Sequence, residues 1–387
     1  MAGKRAYLDH NASAPLVPVA HTAMLAALEI QANPSSAHNE GRAARGVIEE
    51  ARRSVAALAG AKPDHVVFTS GATEAATTLL TPDWQMGRGA LRMSRLYVAA
   101  SDHPCLLLGG RFAKENVETL PVRPDGALDL EIFGALLGRH DKSIGLPLIA
   151  IHAANNETGV VQPIAEIARL VAAAGGVLVV DAVQAAGRIP LDISNDCGDY
   201  LILSSHKLGG PPGAGAIVAK SDLMMPAPLV RGGGQEKGHR AGTENVAAIA
   251  GFGAAAVEAA NRLGEIDVVR ARRDRVEAMI QRLAPGATIF GKDAERLPNT
   301  TFFALAGIKA ETAQIAFDLA GVALSAGSAC SSGKVGPSQV LKAMGFGDDA
   351  GALRVSIGHS TDDADIDMFA EALTAIVARH ERRVKAA

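Results

Sequence analysis

Short apolar runs alternate with helix-length amphipathic stretches along the first two thirds of the chain. The runs are rich in Val, Ile and Leu and lack the polar alternation of a half-exposed strand, as expected for strands buried on both faces of a sheet. They occupy residues 66–69, 96–99, 148–151, 177–180 and 201–203. The amphipathic stretch at 164–171 predicts a crossover helix that ends at Gly175-Gly176. The pattern predicts an α/β fold with helices packed on a mainly parallel sheet.

Polar residues follow each of these runs directly, at the point where the strand is predicted to end. The polar clusters lie at 70–73, 101–103, 152–157, 181–184 and 204–207. Ligands of open α/β sheets bind in the crevice outside the carboxyl ends of the strands. The sequence therefore predicts one substantial site at this edge of the sheet.

The pattern of apolar and charged residues changes after about residue 253. A charged helix at 265–282, a short strand-like run at 298–303, a Gly/Ser-rich loop and a C-terminal helix follow. We expect a large domain over residues 13–255 and a smaller α+β domain over 256–387, which also takes in residues 1–12. The run at 210–215 is only superficially similar to a nucleotide-binding P-loop, because Ala216 and Ile217 stand where Lys and Ser/Thr are required.

Composition narrows the classes of protein. The chain has 387 residues, a net charge of −3, 48% hydrophobic and 4% aromatic residues, which argues against a disordered protein, a polybasic nucleic-acid binder and base stacking on aromatics. Three cysteines, Cys105, Cys197 and Cys330, form neither a disulfide framework nor a zinc-ligand pattern. No signal-peptide core and no long uncharged apolar window are evident. We expect a cytoplasmic protein that binds no membrane and no metal.

Asp181 and Lys207 both stand just past a predicted strand end. A lysine in a low-dielectric crevice has a lowered pKa and can form a Schiff base. Pyridoxal phosphate requires such a lysine, an acid for its ring nitrogen and a phosphate cradle. The segment 70–74 offers the cradle, because it opens a helix whose first N–H groups are unpaired. Taken singly, these features also fit a capped turn, a helix cap and a solvated lysine, whereas their combination favours the cofactor.

Eight short motifs occur in a fixed order along nearly the whole chain: YLD at 7–9, NPSS at 33–36, SGATE at 70–74, NNETG at 155–159, SHK at 205–207, GGGQE at 232–236, RAGTEN at 240–245 and GSACSSG at 327–333. With these motifs the chain resembles the cysteine desulfurases of the nitrogen-fixation and iron–sulfur-assembly type. They belong to the class V aminotransferases among the fold type I pyridoxal-phosphate enzymes. The resemblance implies a large domain with a mainly parallel seven-stranded sheet, and a smaller α+β domain. The chain departs from the usual pattern at 208–212 and 75–78.

The resemblance also implies a cofactor site. Lys207 would be the Schiff-base lysine, Asp181 would bind the pyridine nitrogen, and Gln184 would bind the ring oxygen. His103 would stack on the ring, although a lone histidine is more often a satisfied surface or core group. The phosphate contacts would come from Ala72, Thr73, Ser204 and His206, together with Thr243 from a second subunit.

For the substrate, the resemblance implies that Asn156 and Arg354 hold the carboxylate of L-cysteine and that Cys330 is the persulfide-forming nucleophile. Alone, Arg354 would be a strand-edge charge and Cys330 an inert surface thiol. Cys105 and Cys197 are interpreted as structural. The implied function is a homodimeric desulfurase that passes sulfur to an acceptor or iron–sulfur scaffold protein. The alternatives are a related class V lyase or transaminase, such as a selenocysteine lyase, and a non-catalytic sulfur carrier.

Overall fold

The computed structural model describes residues 4–195, 197–327, 337–347 and 351–386. Cys330 therefore lies outside the described residues. The strands are β1 (Ala6–Tyr7), β2 (Val66–Thr69), β3 (Asp83–Met86), β4 (Gly89–Ala99), β5 (Val117–Leu120), β6 (Leu146–His152), β7 (Val177–Asp181), β8 (Tyr200–Ser204), β9 (Gly215–Ala219), β10 (Met224–Pro226), β11 (Thr288–Ile289), β12 (Thr300–Ala304), β13 (Val322–Ala323), β14 (Ser325–Ala326) and β15 (Leu353–Ser356). The helices are α1 (Pro18–Leu28), α2 (Asn39–Leu58), α3 (Ala72–Leu79), α4 (Pro104–Leu107), α5 (Leu130–Gly138), α6 (Ile164–Ala173), α7 (Val246–Arg262), α8 (Ile266–Leu283), α9 (Ala310–Leu319), α10 (Gln339–Ala343) and α11 (Asp363–Ala386).

The large sheet contains the predicted mainly parallel arrangement. Strands β5, β4, β6, β7 and β8 run parallel to one another, β9 is antiparallel to β8, and β2 is antiparallel to β9. Of these seven strands only β9 is reversed, which confirms the predicted fold. Two further strands, β3 and β10, extend the sheet beyond the first half of β4. The β3–β4 hairpin turns at Gly87, whose φ of +59° favours glycine.

Both faces of this sheet are covered by helices, because its strands bury residues on both sides. Val66 and Phe68 belong to one core cluster, whereas Val67 between them belongs to another. Helices α1, α2, α5, α6 and α7 supply the first cluster, and α3 and α4 supply the second. This layering explains the continuous apolar runs.

The stretch Val246–Leu283, which comprises α7 and α8, is long and apolar enough to cross a membrane by length and composition alone. In the structure α7 packs against α1 and α2, and its Phe252 and Ala255 are fully buried in the core. Interior packing accounts for its apolar character.

A second core lies around the antiparallel sheet β11-β12-β15-β14 with helices α8, α9 and α11. The N-terminal strand β1 pairs with β13, so residues near the N-terminus pack with the C-terminal part of the chain. The predicted domain boundary at residue 255 falls within α7, which continues to Arg262. Ala259 of this helix still packs in the core of the large domain. The second core cluster resumes at Val269.

Candidate active site

A cavity of about 520 Å³ opens at the carboxyl edge of the large sheet. All five polar clusters contribute to its wall. Among the predicted site residues, the structure brings together Ala72, Thr73, His103, Asn156, Asp181, Gln184, Ser204, His206 and Lys207. The strands ending there place these side chains side by side, as the rule for open α/β sheets predicts.

Lys207 ends the short 3-10 turn that follows β8. Its Nζ donates hydrogen bonds to the main-chain oxygens of Asn11 at 2.6 Å and Ala12 at 2.7 Å. These carbonyls come from the N-terminal segment, which packs with the smaller domain. The amine is thus anchored at the cavity wall by two main-chain oxygens.

Asp181 is the last residue of β7 and is buried. Burial raises the pKa of its carboxyl, although the Val183 N–H donates to its Oδ1 at 3.0 Å. A buried carboxyl of this kind is stabilised as a carboxylate when a cation binds beside it. A protonated pyridine nitrogen is such a cation.

The segment before α3 forms an open cradle. The first residues of α3 line the cavity, and a Cβ added to Gly71 or Gly213 would meet nothing within 4 Å. Glu74 turns back to accept a hydrogen bond from the Ser70 N–H at 2.8 Å and one from Arg240 Nε at 3.0 Å. Burial alone would raise the pKa of Glu74, but these bonds outweigh it and the pKa is lowered. The helix end fits a phosphate group.

Three histidines line the same cavity, and two of them are predicted site residues. Burial, together with the nearby charges of Lys207 and Arg188, lowers the pKa of His206 to about 4, so its imidazole is neutral at neutral pH. His103 caps α4, and its Nδ1 accepts a hydrogen bond from the Cys105 N–H at 3.2 Å. Cys105, which the sequence interpretation leaves as structural, also lines the cavity.

Arg354 lies behind the cavity wall rather than in it. Its guanidinium donates to the main-chain oxygen of Asn156 at 2.9 Å and to Asp9 Oδ1 at 2.7 Å. The side chain is fully buried, and its Nε has no hydrogen-bond partner among the residues that the structure describes. Its role with the substrate carboxylate stays a prediction.

Thr243 is exposed and lies outside the cavity wall. The segment that carries it is fixed to α2 by two ion pairs, Arg52 with Glu236 and Arg45 with Glu244. Its predicted contact with a second subunit is a prediction that a single chain does not test.

Sequence reasoning missed several residues that shape the site. Asn11 is buried, and its Nδ2 donates to the Asn156 main-chain oxygen at 3.1 Å and to Thr300 Oγ1 at 2.9 Å. Its main-chain oxygen accepts from Lys207 and Gln184. Asn11 therefore connects the two cores at the cavity, and no spacing in the sequence indicates this role.

Glu157 is a further residue that sequence reasoning did not single out, although it belongs to the NNETG motif at 155–159. Ser338 Oγ donates to Glu157 Oε2 at 2.5 Å, and the same hydroxyl caps α10 by accepting the Leu341 N–H at 3.1 Å. Burial raises the pKa of Glu157 despite this bond and the nearby charges of Arg354 and His103. The hydrogen bond between Ser338 and Glu157 connects the beginning of α10 to the loop after β6.

Comparison with known proteins places this geometry in a family. The family model described as "Aminotransferase class-V" matches residues 6–369. A cysteine desulfurase of Cereibacter sphaeroides is 40% identical over 97% of this chain and 96% of its own length. The cysteine desulfurase NifS of Azotobacter vinelandii is 37% identical over 96% of this chain and 92% of its own length.

Solved structures give the same result. The X-ray structure of a NifS-like protein from Rickettsia africae superposes with a TM-score of 0.87 at 31% identity, covering 97% of this chain and 99% of the other. Enzymes of this family use pyridoxal phosphate. The chain belongs to the class V aminotransferase family, among its cysteine desulfurases.

Proposed function

We propose that this protein uses pyridoxal phosphate to convert L-cysteine to L-alanine and to transfer the sulfur through Cys330 to an acceptor. The observation that carries the proposal is the meeting of Lys207, Asp181 and the α3 cradle around one cavity. These are the three protein groups that the cofactor requires.

The described residues divide the work as follows. The N–H groups at the start of α3, together with Thr73, Ser204 and His206, would hold the phosphate, and Asp181 would favour the protonated ring nitrogen. When bound, the cofactor supplies an electron sink for negative charge at the substrate Cα. Lys207, whose Nζ lies at the cavity wall, would hold the cofactor and would serve as the general base for the substrate Cα proton. Asn156 and Arg354 bind the substrate carboxylate, for which a guanidinium is well suited.

The sulfur step belongs to Cys330. Its thiolate attacks the substrate sulfur, the substrate C–S bond breaks, and a proton replaces sulfur on the carbon, which gives L-alanine and a persulfide on Cys330. No outside oxidant is required. The substrate sulfur exchanges its bond to carbon for a bond to the Cys330 sulfur, and the carbon gains a hydrogen in place of the sulfur. An acceptor then takes up the sulfane sulfur.

The cellular setting is part of the proposal. We expect a cytoplasmic homodimer in which Thr243 of each subunit contacts the phosphate bound by the other. The acceptor is expected to be a sulfur-transfer or scaffold protein for iron–sulfur cluster assembly. The exposed position of Thr243, on a segment anchored to α2, supports a contact across a subunit interface.

A comparison of cysteine variants tests the proposal. The Cys330→Ser variant should lose sulfide and alanine production but still change the cofactor absorbance when L-cysteine is added. A serine hydroxyl is not ionised near neutral pH and is a poor nucleophile for sulfur. Mass spectrometry after a pulse of L-cysteine should find one added sulfur on the wild-type peptide that contains Cys330.

Cys197→Ser is the matched control and should retain wild-type activity. Cys105→Ser tests whether the thiol at the cavity wall carries the sulfur instead. Undiminished sulfide production by Cys330→Ser would contradict the mechanism and favour the lyase alternative. A wild-type protein that gains no colour with pyridoxal phosphate would contradict the proposal as a whole.

A further inference from the structure

Arg188 lies beneath the cavity, at the end of the turn that begins with Asp181. The turn reverses at Gly187, whose φ is +71° and whose added Cβ would come within 2.8 Å of the Ala259 Cβ. Positive φ and this close approach to α7 both require glycine. The reversal brings Arg188 back under Gln184, four residues earlier.

The guanidinium of Arg188 binds carbonyl oxygens from three segments. Its NH1 donates to the Gln184 main-chain oxygen at 3.1 Å and to the Gln184 side-chain Oε1. Its NH2 donates to the His10 main-chain oxygen at 3.2 Å and, at the 3.5 Å limit, to that of Lys207. No carboxylate of the described chain forms an ion pair with it. Arg188 therefore acts as a hydrogen-bond donor rather than as half of an ion pair.

These contacts determine how the Gln184 amide is oriented. A guanidinium can only donate, so the amide oxygen must face Arg188. A main-chain oxygen can only accept, and Gln184 Nε2 lies 3.0 Å from the Asn11 oxygen. Two independent partners thus require the same orientation. The amide nitrogen has a second N–H, and Gln184 lines the cavity.

Arg188 is partly buried, and a cation there costs free energy that its hydrogen bonds must offset. Burial, with a smaller effect of the Arg354 charge, lowers the pKa of Arg188 to about 9. A desolvated cation without a counter-ion is unfavourable unless its hydrogen bonds are satisfied. An uncharged side chain would fill the same space without that cost.

We propose that Arg188 is a positioning residue that holds Gln184 as a hydrogen-bond donor toward the ring oxygen of the bound cofactor. The inference rests on the proposed function, because it assumes that pyridoxal phosphate occupies the cavity with its ring oxygen at Gln184. Without Arg188 only the Asn11 oxygen holds this orientation, and the amide presents Oε1 to the ring oxygen in a larger fraction of molecules. Two acceptors would then face each other, and the cofactor would bind more weakly.

A double-mutant cycle tests this role without measuring turnover. The dissociation constant of pyridoxal phosphate is measured by titrating the apoenzyme of wild type, Arg188→Met, Gln184→Ala and the double variant. Arg188→Met should weaken binding about tenfold, the value of one hydrogen bond. In the Gln184→Ala background it should weaken binding less than about twofold, because the amide it orients is gone. The visible absorbance band of Arg188→Met should resemble that of Gln184→Ala.

Arg111 provides a matched control. It is a partly buried arginine that donates to the main-chain oxygens of Thr77, Thr78 and Ala227 and does not line the cavity. Arg111→Met should change the affinity by the same factor in both backgrounds. If Arg188→Met does not fold, Arg188→Lys replaces it in the cycle, since an ammonium keeps the charge but loses the planar fork.

Equal effects of the Arg188 substitution in the two backgrounds would overturn the inference, since a merely structural role is additive. Failure of the proposed function would give a different experimental result. In that case the wild-type protein itself develops no cofactor absorbance with pyridoxal phosphate, and no cycle can be measured.

Discussion

At the residue scale, burial shifts the pKa of several groups in and around the site. Asp181 and Glu157 have raised pKa values, whereas His10 and His206 have pKa values lowered to about 4. Of these four groups, Asp181 and His206 line the cavity. Its wall therefore combines a carboxyl that burial drives toward the neutral form with a neutral imidazole.

His10 allows a prediction about stability and pH. Burial, together with the charges of Arg188 and His359, lowers its pKa from 6.5 to about 4. Between these values the unfolded chain binds a proton that the folded chain does not, so stability falls as the pH drops from about 6.5 to about 4. The loss should be about 3 kcal/mol at most. His10→Gln should remove this part of the pH dependence of urea unfolding.

The exposed His21 on α1 is the control, because His21→Gln should leave the slope of stability against pH unchanged. Identical slopes for wild type and His10→Gln would show that the lowered pKa of His10 does not contribute to acid sensitivity.

At the element scale, the segment that carries Thr243 depends on one buried ion pair. Arg52 of α2 donates to both carboxylate oxygens of Glu236 at 2.7 Å, and the Phe68 N–H donates to Glu236 Oε2 at 2.8 Å. Glu236 and Lys237 have positive φ values of 47° and 55°. Left-handed backbone is unfavourable for these residues, so the surrounding contacts must hold it in place.

Glu236→Gln should therefore destabilise the protein by about 3 kcal/mol, since the buried Arg52 then keeps only the half-buried Glu49, 3.1 Å from its Nε, as a counter-ion. The measurement is the midpoint of urea unfolding. Asp64→Asn is the control, because the Asp64–Lys237 pair is exposed and should contribute less than about 1 kcal/mol. Equal costs for the two substitutions would argue against a role of the buried pair in fixing this segment.

At the scale of the whole molecule, the proposal predicts that one residue of each site, Thr243, comes from the partner subunit. Lys207→Ala and Thr243→Ala homodimers should each be weakly active or inactive. Dimers reassociated from an equal mixture should recover about one quarter of wild-type activity, because each mixed dimer has one intact site and one with both lesions. The assay is alanine production after subunit exchange.

If the mixture is no more active than the average of the two homodimers, Thr243 acts within its own subunit or not at the site. An active monomer in sedimentation would contradict the proposed dimer directly.

The sequence alone determined the layout of the large domain. Runs such as 66–69 and 177–180 appear as β2 and β7 because a strand buried on both faces needs continuous apolar residues, which is a local property of the chain. The polar clusters then met at one cavity because parallel strands end at one edge. The motif residues were visible in the same way, without knowledge of their contacts.

Only the tertiary structure decided which groups face each other across long stretches of chain. Asn11 bonds to Thr300, Arg354 to Asp9, and Arg52 to Glu236. The partners are 289, 345 and 184 residues apart along the chain, so they are set by how distant segments pack together. The orientation of the Gln184 amide, and with it the role of Arg188, also emerged only from the packed structure. Hydrogen-bond direction depends on every neighbour at once, and the order of residues along the chain carries no record of it.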